Sequence, residues 1–399
     1  MPPLKGDLPT ISPRVLHVIT RVVEARLPGE QKTIACAVAK LSRLFTKDRP
    51  CLPSRYLDEA VHASAYLSYF LPVNLAKVQA LLDELPTQQR EWEEPSGLRV
   101  LDLGSGPGTG SLAVLDWLSR RDPASAQRLS VVAVDSSAAA LQRARDLWEC
   151  YCREAGTQGA RLATCEGNLE QSRAAWHESV GASPYDLIIL ANCVNELWRD
   201  AADCIASRAR FITTLLDWLA LRGTVMIVEP ALRETSRALH SVRDRLLQEQ
   251  RCTVYGPCLH GESCPALIDP DDWCHEERRW AAPASIQEID REAGFIKDAL
   301  KFSYLLLRKD GLSVGPRNPA TVRIVSELRE LKGDTRAWVC NELGRFEIGR
   351  LDRAESGSNA PWSQCQRGTI VKIQGLKRRD GAALVRIPPE GTVEIVRKP

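Results

Sequence analysis

The 399-residue chain has no apolar run approaching the ~20 residues of a membrane helix, so the sequence offers no helical membrane span. Its first residues, Met1 to Thr10, lack the apolar core of a secretory leader. They also lack the Arg-rich, acid-poor helix of an organelle transit peptide. The expectation is a cytoplasmic protein, or a mitochondrial one if the source is eukaryotic. There is no internal repeat and no long low-complexity run. There is no G-x-x-x-x-G-K-[ST] phosphate loop and no C-x2-C pair of a zinc ribbon. Nor is there an excess of either charge, because the net is +2. With 44% hydrophobic and 26% charged residues, the composition is that of a globular chain long enough for two or three domains.

What the chain does have is cysteine, 13 in all. The odd count and missing export signal argue against a disulfide framework. Most cysteines are then expected to act as small buried hydrophobes, Cys193 and Cys204 among them. Charge is also unevenly placed. From residue 301 to the end, 19 Lys and Arg stand against 11 Asp and Glu. A basic C-terminal region suits a phosphate backbone, and equally suits an ordinary solvated surface.

Hydrophobic periodicity predicts helices from residue 11 to about 95, with Pro72 kinking or dividing the long stretch from Tyr56 to Leu85. Glu91 to Gly97 reads as a linker. From Arg99 short apolar runs alternate with helical segments, as in a parallel α/β sheet. Strands are expected at 99–102, 129–134, 161–165, 185–191 and 224–229, with a late strand at 301–307. Helices are expected at 110–121, 138–155, 171–179, 201–221 and 234–250. Residues 250–282, rich in Cys, Pro, His, Gly and Trp, should be irregular. Residues 369–396 read as a small β appendage turning at Arg379-Asp380-Gly381. The domain expectation is a helical domain over 1–95, an α/β domain over 96–310 with a Cys-rich insertion at 251–282, and a basic region over 311–399.

The strand ending at Asp102 runs into Gly104, Ser105, Gly106 and Gly108, then a helix. Absent side chains let a ligand lie against the backbone, and the helix N-terminus favours a carboxylate. Asp135, followed by Ser136, ends the second strand, where an acid accepts ribose hydroxyls. Asn168 follows the third strand, and Asn192, Asn195 and Glu196 follow the fourth, along the edge where such sheets bind ligands. Each has a plainer reading: Asp135 as a helix cap, Asn168 as a turn residue, Glu196 as the start of a helix. Together they predict a nucleotide-like site. The loop resembles that of class I methyltransferases, which makes S-adenosylmethionine the expected cofactor. No [DN]-P-P-[YF] loop follows the fourth strand, and Cys193 lacks the proline typical of a cytosine-methylating thiolate. Asn195 and Glu196 are the only candidates near the reacting position, as hydrogen-bonding groups at the pocket mouth.

Cys258, Cys264 and Cys274 lie close together in a C-x5-C-x9-C pattern, with Cys252 before them and Cys340 and Cys365 after. Loop thiolates ligate zinc and iron–sulfur clusters. His260 and His275 leave a Cys3His zinc site open.

These features converge on a family. In "AYLSYFLPVNLAKVQALLDEL" (65–85), "RVLDLGSGPGTG" (99–110), "YDLIILANCVNELW" (185–198), "GTVMIVEPALRETSRALHSVRDRLL" (223–247) and "YGPCLHGESCPALIDPDDWCH" (255–275) the chain resembles the methyltransferase-like assembly proteins of the small ribosomal subunit. That family occurs in mitochondria and bacteria, and its animal member is methyltransferase-like protein seventeen. The resemblance implies a class I, Rossmann-like methyltransferase fold and action on the small ribosomal subunit and its rRNA, as a monomer when free. It also implies a [4Fe–4S] cluster on Cys258, Cys264, Cys274 and Cys340, the last in a "VC…G" context where Cys252 and Cys365 compete. If a methyl group is transferred, rRNA is the expected acceptor. The alternative is a small-molecule or protein methyltransferase with a structural zinc site.

Overall fold

A computed structural model describes residues 10–26, 31–53, 55–86, 97–171, 180, 184–378 and 384–399. Most of the expected linker, the expected helix at 171–179 and the turn at 379–381 lie outside them. The helices are α1 Pro13–Arg26, α2 Gln31–Thr46, α3 Ala60–Ala65, α4 Leu71–Leu82, α5 Thr109–Arg121, α6 Pro123–Ala126, α7 Ala138–Ala155, α8 Cys204–Leu216, α9 Arg233–Gln248 and α10 Ala284–Ala293. The strands are β1 Arg99–Leu103, β2 Ser130–Asp135, β3 Arg161–Glu166, β4 Tyr185–Ala191, β5 Leu219–Pro230, β6 Thr253–Gly256, β7 Glu276–Arg279 and β8 Ala299–Arg308. They continue with β9 Thr321–Ile324, β10 Arg329–Leu331, β11 Asp334–Asn341, β12 Gly344–Leu351, β13 Ile370–Gln374, β14 Lys377–Arg378, β15 Leu384–Arg386 and β16 Thr392–Arg397.

The chain divides into two compact units. The first holds residues 1–200, 217–228 and 279–300, and the second 201–216, 229–278 and 301–399. In the first unit β3, β2, β1, β4 and β5 lie side by side, all parallel. This is the Rossmann-like arrangement expected from the sequence, with its topological switch between β1 and β4. The strands are apolar almost throughout, as strands covered on both faces must be: Leu187 to Leu190 are all buried. Local chemistry marks the helix ends. The Ser137 hydroxyl accepts from the Ala140 amide to cap α7, and Gly156 closes it in the left-handed region.

One sequence expectation is corrected here. The helix expected over 201–221 stops at Leu216, because Leu219 already begins β5 and pairs with Tyr185. Of the two outcomes expected at Pro72, the stretch is divided there and not merely kinked. The proline sits in the first turn of α4, and a π-helix at Tyr66–Phe70 precedes it. A proline cannot satisfy the ordinary carbonyl partner four residues back, and the wider π turn absorbs that vacancy.

In the second unit β6 pairs antiparallel with β8, and β7 also pairs β8. The stretch 250–282 is therefore not wholly irregular. A separate eight-stranded sheet, in the order β14-β15-β12-β11-β9-β13-β16 with β10 beside β11, begins at Thr321. The β structure thus starts well before the expected 369. Its core gathers Val322, Ile324, Ala337, Val339, Ile348, Val371 and Ile373 around the fully buried Trp362.

Candidate functional site

The glycine loop leaves β1 with Gly104, Gly106 and Gly108 all at positive φ, which L side chains seldom adopt. A Cβ on Gly104 would lie 2.6 Å from Cys193 Cβ. The Cys193 thiol itself faces the Leu103 carbonyl at 3.3 Å. Cys193 therefore packs β4 against the loop, in keeping with a structural thiol. At Gly106 the nearest neighbour of a Cβ would be Leu57, at 3.8 Å. The Ser105 hydroxyl is buried without a hydrogen-bond partner.

Asp102 is fully buried, and its Oδ2 accepts from the Ser111 amide and hydroxyl, both at 2.7 Å. Burial pushes its carboxyl up to about 6 against those two donors. Gly110, which the sequence reading did not single out, gives it room: a Cβ there would stand 2.8 Å from Asp102 Oδ1. Asp102 thus braces the start of α5 from behind the loop. Asp135 accepts from the Gly106 amide at 2.8 Å and the Ser137 amide at 2.9 Å. Burial raises its carboxyl too. Ser137, not Asp135, caps α7, and Ser136 stands between the two. Asn168 forms an Asx turn, accepting from the Glu170 amide at 2.9 Å. Asn192 holds a positive φ of 60° at the end of β4.

Asn195 is buried and accepts from Arg49. Glu196 is exposed, yet desolvation raises its carboxyl against the pull of Arg199 and Arg49. Solvent access combined with surrounding protein is what the wall of an open cleft produces. Tyr56 and Tyr66, packed with Phe45, lie near enough to Glu196 and Asp135 to feel their charge, and the sequence reading missed them. Burial pushes the Tyr66 phenol up to about 12, with Glu196 and Asp135 adding to it. The Tyr56 phenol is raised well above its usual value by burial, then by Tyr66, Glu196 and Asp135. The Ser137 hydroxyl donates to Asp58 at 2.7 Å, and Leu57 lies over Gly106. Residues 55–58 therefore cross the glycine loop and the end of β2.

In the second unit the loop from Cys258 to Cys274 is held by one face of α9. Arg243, fully buried, donates to the carbonyls of His260 and Glu262, both at 2.7 Å. Asp244 accepts from the Cys264 amide at 2.8 Å. His240 Nε2 is 2.9 Å from the Cys274 carbonyl. Arg237 donates to the carbonyls of Ala266, Leu267, Asp269 and Asp272. These spacings of three, four and seven put the four side chains on one stripe of a helix.

Cys340, far along the chain on β11, joins the other three. Its Sγ lies 3.6 Å from His260 Nε2. Burial raises its thiol, and Cys258, Cys274 and Cys264 add to the rise. Cys274 is pushed up to about 11 by burial and then by Cys258. Cys258, Cys274 and Cys340 line a single cavity of about 40 Å³ together with His240, His275 and Arg323. Cys252 and Cys365 are buried elsewhere, the latter in the core around Trp362. Among the described residues no group of three or more His, Cys, Asp and Glu side chains is arranged to hold a metal ion. His260 faces Cys340, and His275 Nε2 is paired with Glu277 at 2.9 Å.

A family model described as mitochondrial small ribosomal subunit Rsm22 matches residues 60–353. No curated protein is similar enough in sequence to count as a relative. Among solved structures the chain is similar to the plantazolicin methyltransferase BpumL in complex with SAH, at 11% identity over 73% of this chain and 99% of that one, with a TM-score of 0.33. It is similar to an rRNA methylase from Streptococcus thermophilus, at 14% identity over 54% of this chain and 87% of that one, with a TM-score of 0.26. It is also similar to an S-adenosylmethionine-dependent methyltransferase from Thiobacillus denitrificans in complex with S-adenosyl-L-homocysteine, at 15% identity over 60% and 91%, with a TM-score of 0.29. Among the described residues no helix is long and apolar enough to cross a membrane.

Proposed function

Since the chain belongs to the family of the mitochondrial small ribosomal subunit protein Rsm22, we propose that it is an S-adenosylmethionine-binding factor of the small ribosomal subunit and its rRNA, carrying a [4Fe–4S] cluster on Cys258, Cys264, Cys274 and Cys340. The observation that carries the cluster is the gathering of four cysteines from two distant parts of the chain, three of them facing one cavity. Thiols spread around a cavity suit a polynuclear cluster, in which each thiolate binds a different iron atom. A single zinc ion would need them converging on one point. When bound, the cluster supplies a fixed junction between the α9-held loop and β11. The protein side of that junction is Arg243 and Asp244, which hold the loop in place.

The cofactor cleft would take S-adenosylmethionine against the backbone of Gly104 to Gly106, with its ribose hydroxyls at Asp135, whose carboxylate the Gly106 and Ser137 amides already hold in place. The unpartnered Ser105 hydroxyl and the run of positive φ at Gly104, Gly106 and Gly108 support this reading. When bound, S-adenosylmethionine supplies an electrophilic methyl group. The chain's part is to hold that group and an acceptor in line, which is the larger share of such catalysis. Glu196 is the side chain at the mouth suited to accept a hydrogen bond from an acceptor. Asn195 already receives one from Arg49. Methylation of rRNA is the expected reaction if one occurs.

Two measurements test the proposal. Anaerobic purification followed by iron, sulfide and zinc analysis should give about four iron and four sulfide per chain. A colourless protein with stoichiometric zinc overturns the cluster and favours the alternative, a methyltransferase with a structural zinc site. Sedimentation with small-subunit precursors at low salt should carry the protein into the gradient. A protein that stays at the top refutes the ribosomal role.

A further inference from the structure

In the C-terminal sheet one row of residues runs across five strands. Arg329 on β10 pairs with Arg336 on β11, which pairs with Gly349 on β12. Gly349 is partnered by Arg386 on β15, which pairs with Lys377 on β14. Directly paired residues share a face, and this face is opposite the one that buries Ala337, Val339, Ile348 and Val385. The row therefore carries four cations and one glycine. At the usual ~4.8 Å between strands it spans about 19 Å. Gly349 is bare for a reason. A Cβ there would stand 2.7 Å from Arg386 Nη1 and 3.2 Å from Arg336 Cγ, so the two arginines close over it.

Like charges directly across a strand pair cost stability, and here that occurs twice, at Arg329–Arg336 and Arg386–Lys377. Violations of this kind are typical of functional surfaces. The fold lessens the cost from beneath. Asp334 accepts from Arg336 at 2.6 Å and Arg386 at 2.7 Å, and Glu347 accepts from Arg329. Both carboxylates are more buried than the guanidiniums they hold: Asp334 is 6% exposed against 30% for Arg336 and for Arg386. Glu390 accepts from Lys377 in the same way, so every cation of the row is fixed by a carboxylate while keeping part of its surface in solvent.

Two residues along β11 on the same face stands Trp338, 37% exposed. The Arg345 guanidinium lies over its ring at 5.5 Å. Glu347 pairs with Trp338 across the strands, and Asp272 accepts from Arg345; a part-exposed indole bordered by a row of carboxylate-held cations still combines the two elements that bind single-stranded nucleic acid, stacking for bases and positive charge for phosphates. We infer that the outer face of β10, β11, β12, β14 and β15, centred on Trp338, docks single-stranded RNA. This rests on the ribosomal reading above and assigns its RNA contact to a surface distinct from the cofactor cleft. An acidic protein partner would use the cations but has no need of a bare indole among them. Arg345 also pairs across the strands with Cys340, so the docking face is built on the strand that carries the fourth cysteine.

The test is fluorescence anisotropy of the full chain with a fluorescein-labelled oligouridine 12-mer. Trp338→Leu keeps the bulk and removes the aromatic face, and should weaken binding roughly ten-fold, while Trp338→Phe should retain most of it. The double variant R336Q/R386Q should flatten the plot of log K against log salt by about 1.4, at ~0.7 for each lost phosphate contact. The charge-matched control K32Q/K40Q, on α2, should leave the slope unchanged. Circular dichroism and melting check that each variant is folded. If the wild type binds and folded Trp338→Leu and R336Q/R386Q bind as well as it does, this surface is wrong and the ribosomal reading stands. If the wild type binds no oligouridine and no small-subunit precursor, both fall. Tighter binding of polyglutamate than of oligouridine makes the face a protein site and overturns the inference.

Discussion

Replacing Gly104 by alanine separates two reasons why that position is glycine. The first is backbone conformation. At φ +64° a side chain costs roughly 1–2 kcal/mol, because Cβ crowds the following carbonyl. The second is packing. The new methyl would sit 2.6 Å from Cys193 Cβ and 2.9 Å from its Sγ, both far inside contact distance. Overpacking of that kind costs about 1–3 kcal/mol. Gly104→Ala should therefore destabilise the sheet by about 2–5 kcal/mol. Cys193→Gly alone should cost about 1–2 kcal/mol, through a lost buried side chain and a freer backbone. Combined, the two substitutions remove the clash but not the conformational cost. The double variant should recover about 1–3 kcal/mol relative to the sum of the singles. Because the chain has two compact units, a single melting temperature is ambiguous. Native-state hydrogen exchange at the β1 and β4 amides reads this unit alone. Strict additivity of the two changes refutes the packing argument. A Gly104→Ala variant with unaltered exchange refutes the conformational one as well.

Asp102 titrates near 6 in the fold against an ordinary 3.8. Its charged form is disfavoured by burial, so its contribution is fully present below pH 3.8 and is lost as pH rises through 6. Asp102→Asn should gain on the wild type by about 1–1.5 kcal/mol between pH 5 and pH 8, and a pH-independent difference in denaturant unfolding refutes this. Arg243→Met removes the buried cation that holds two loop carbonyls and pairs with Asp244. It should cost about 3–5 kcal/mol and lower the iron content of anaerobically purified protein, and iron content equal to wild type counts against a positioning role. Trp362→Ala opens a cavity in the C-terminal core and should cost about 3–5 kcal/mol. Protease susceptibility of residues beyond 320 is the direct measure, and an unchanged cleavage pattern contradicts the packing assigned to Trp362.

Much of the first unit was legible from the chain because its signals are local. Short apolar runs between turn residues, alternating with longer helical segments, fit strands covered on both faces, and β1 to β4 fall within about one or two residues of where that pattern puts them. The glycine loop is equally local, since positive φ at Gly104, Gly106 and Gly108 is a demand of the backbone at those positions. The family membership rests on similar short stretches of sequence. Periodicity failed where two states compete for one segment. The apolar pattern of α8 continues into β5, and only pairing with β4 decides that Leu219 begins a strand. The proline rule did place a division at Pro72, which the backbone takes up in the preceding π turn.

What tertiary structure alone decided is which distant side chains meet. Nothing in the spacing of Cys340 separates it from Cys252 or Cys365. Its position on β11 turns it outward from the core, beside His260, while Cys365 is buried around Trp362. Burial behind the loop also makes Asp102 the brace of α5, a role that the sequence did not show. Tyr56 and Tyr66 come near Asp135 and Glu196 because residues 55–58 fold over the glycine loop, which no local signal encodes. The cation row on the outer face draws one residue from each of five strands. The physical reason is common to all four cases. Sequence constrains the torsions and the face of each residue within its element, whereas strand register and burial, set by the whole fold, decide which faces come together.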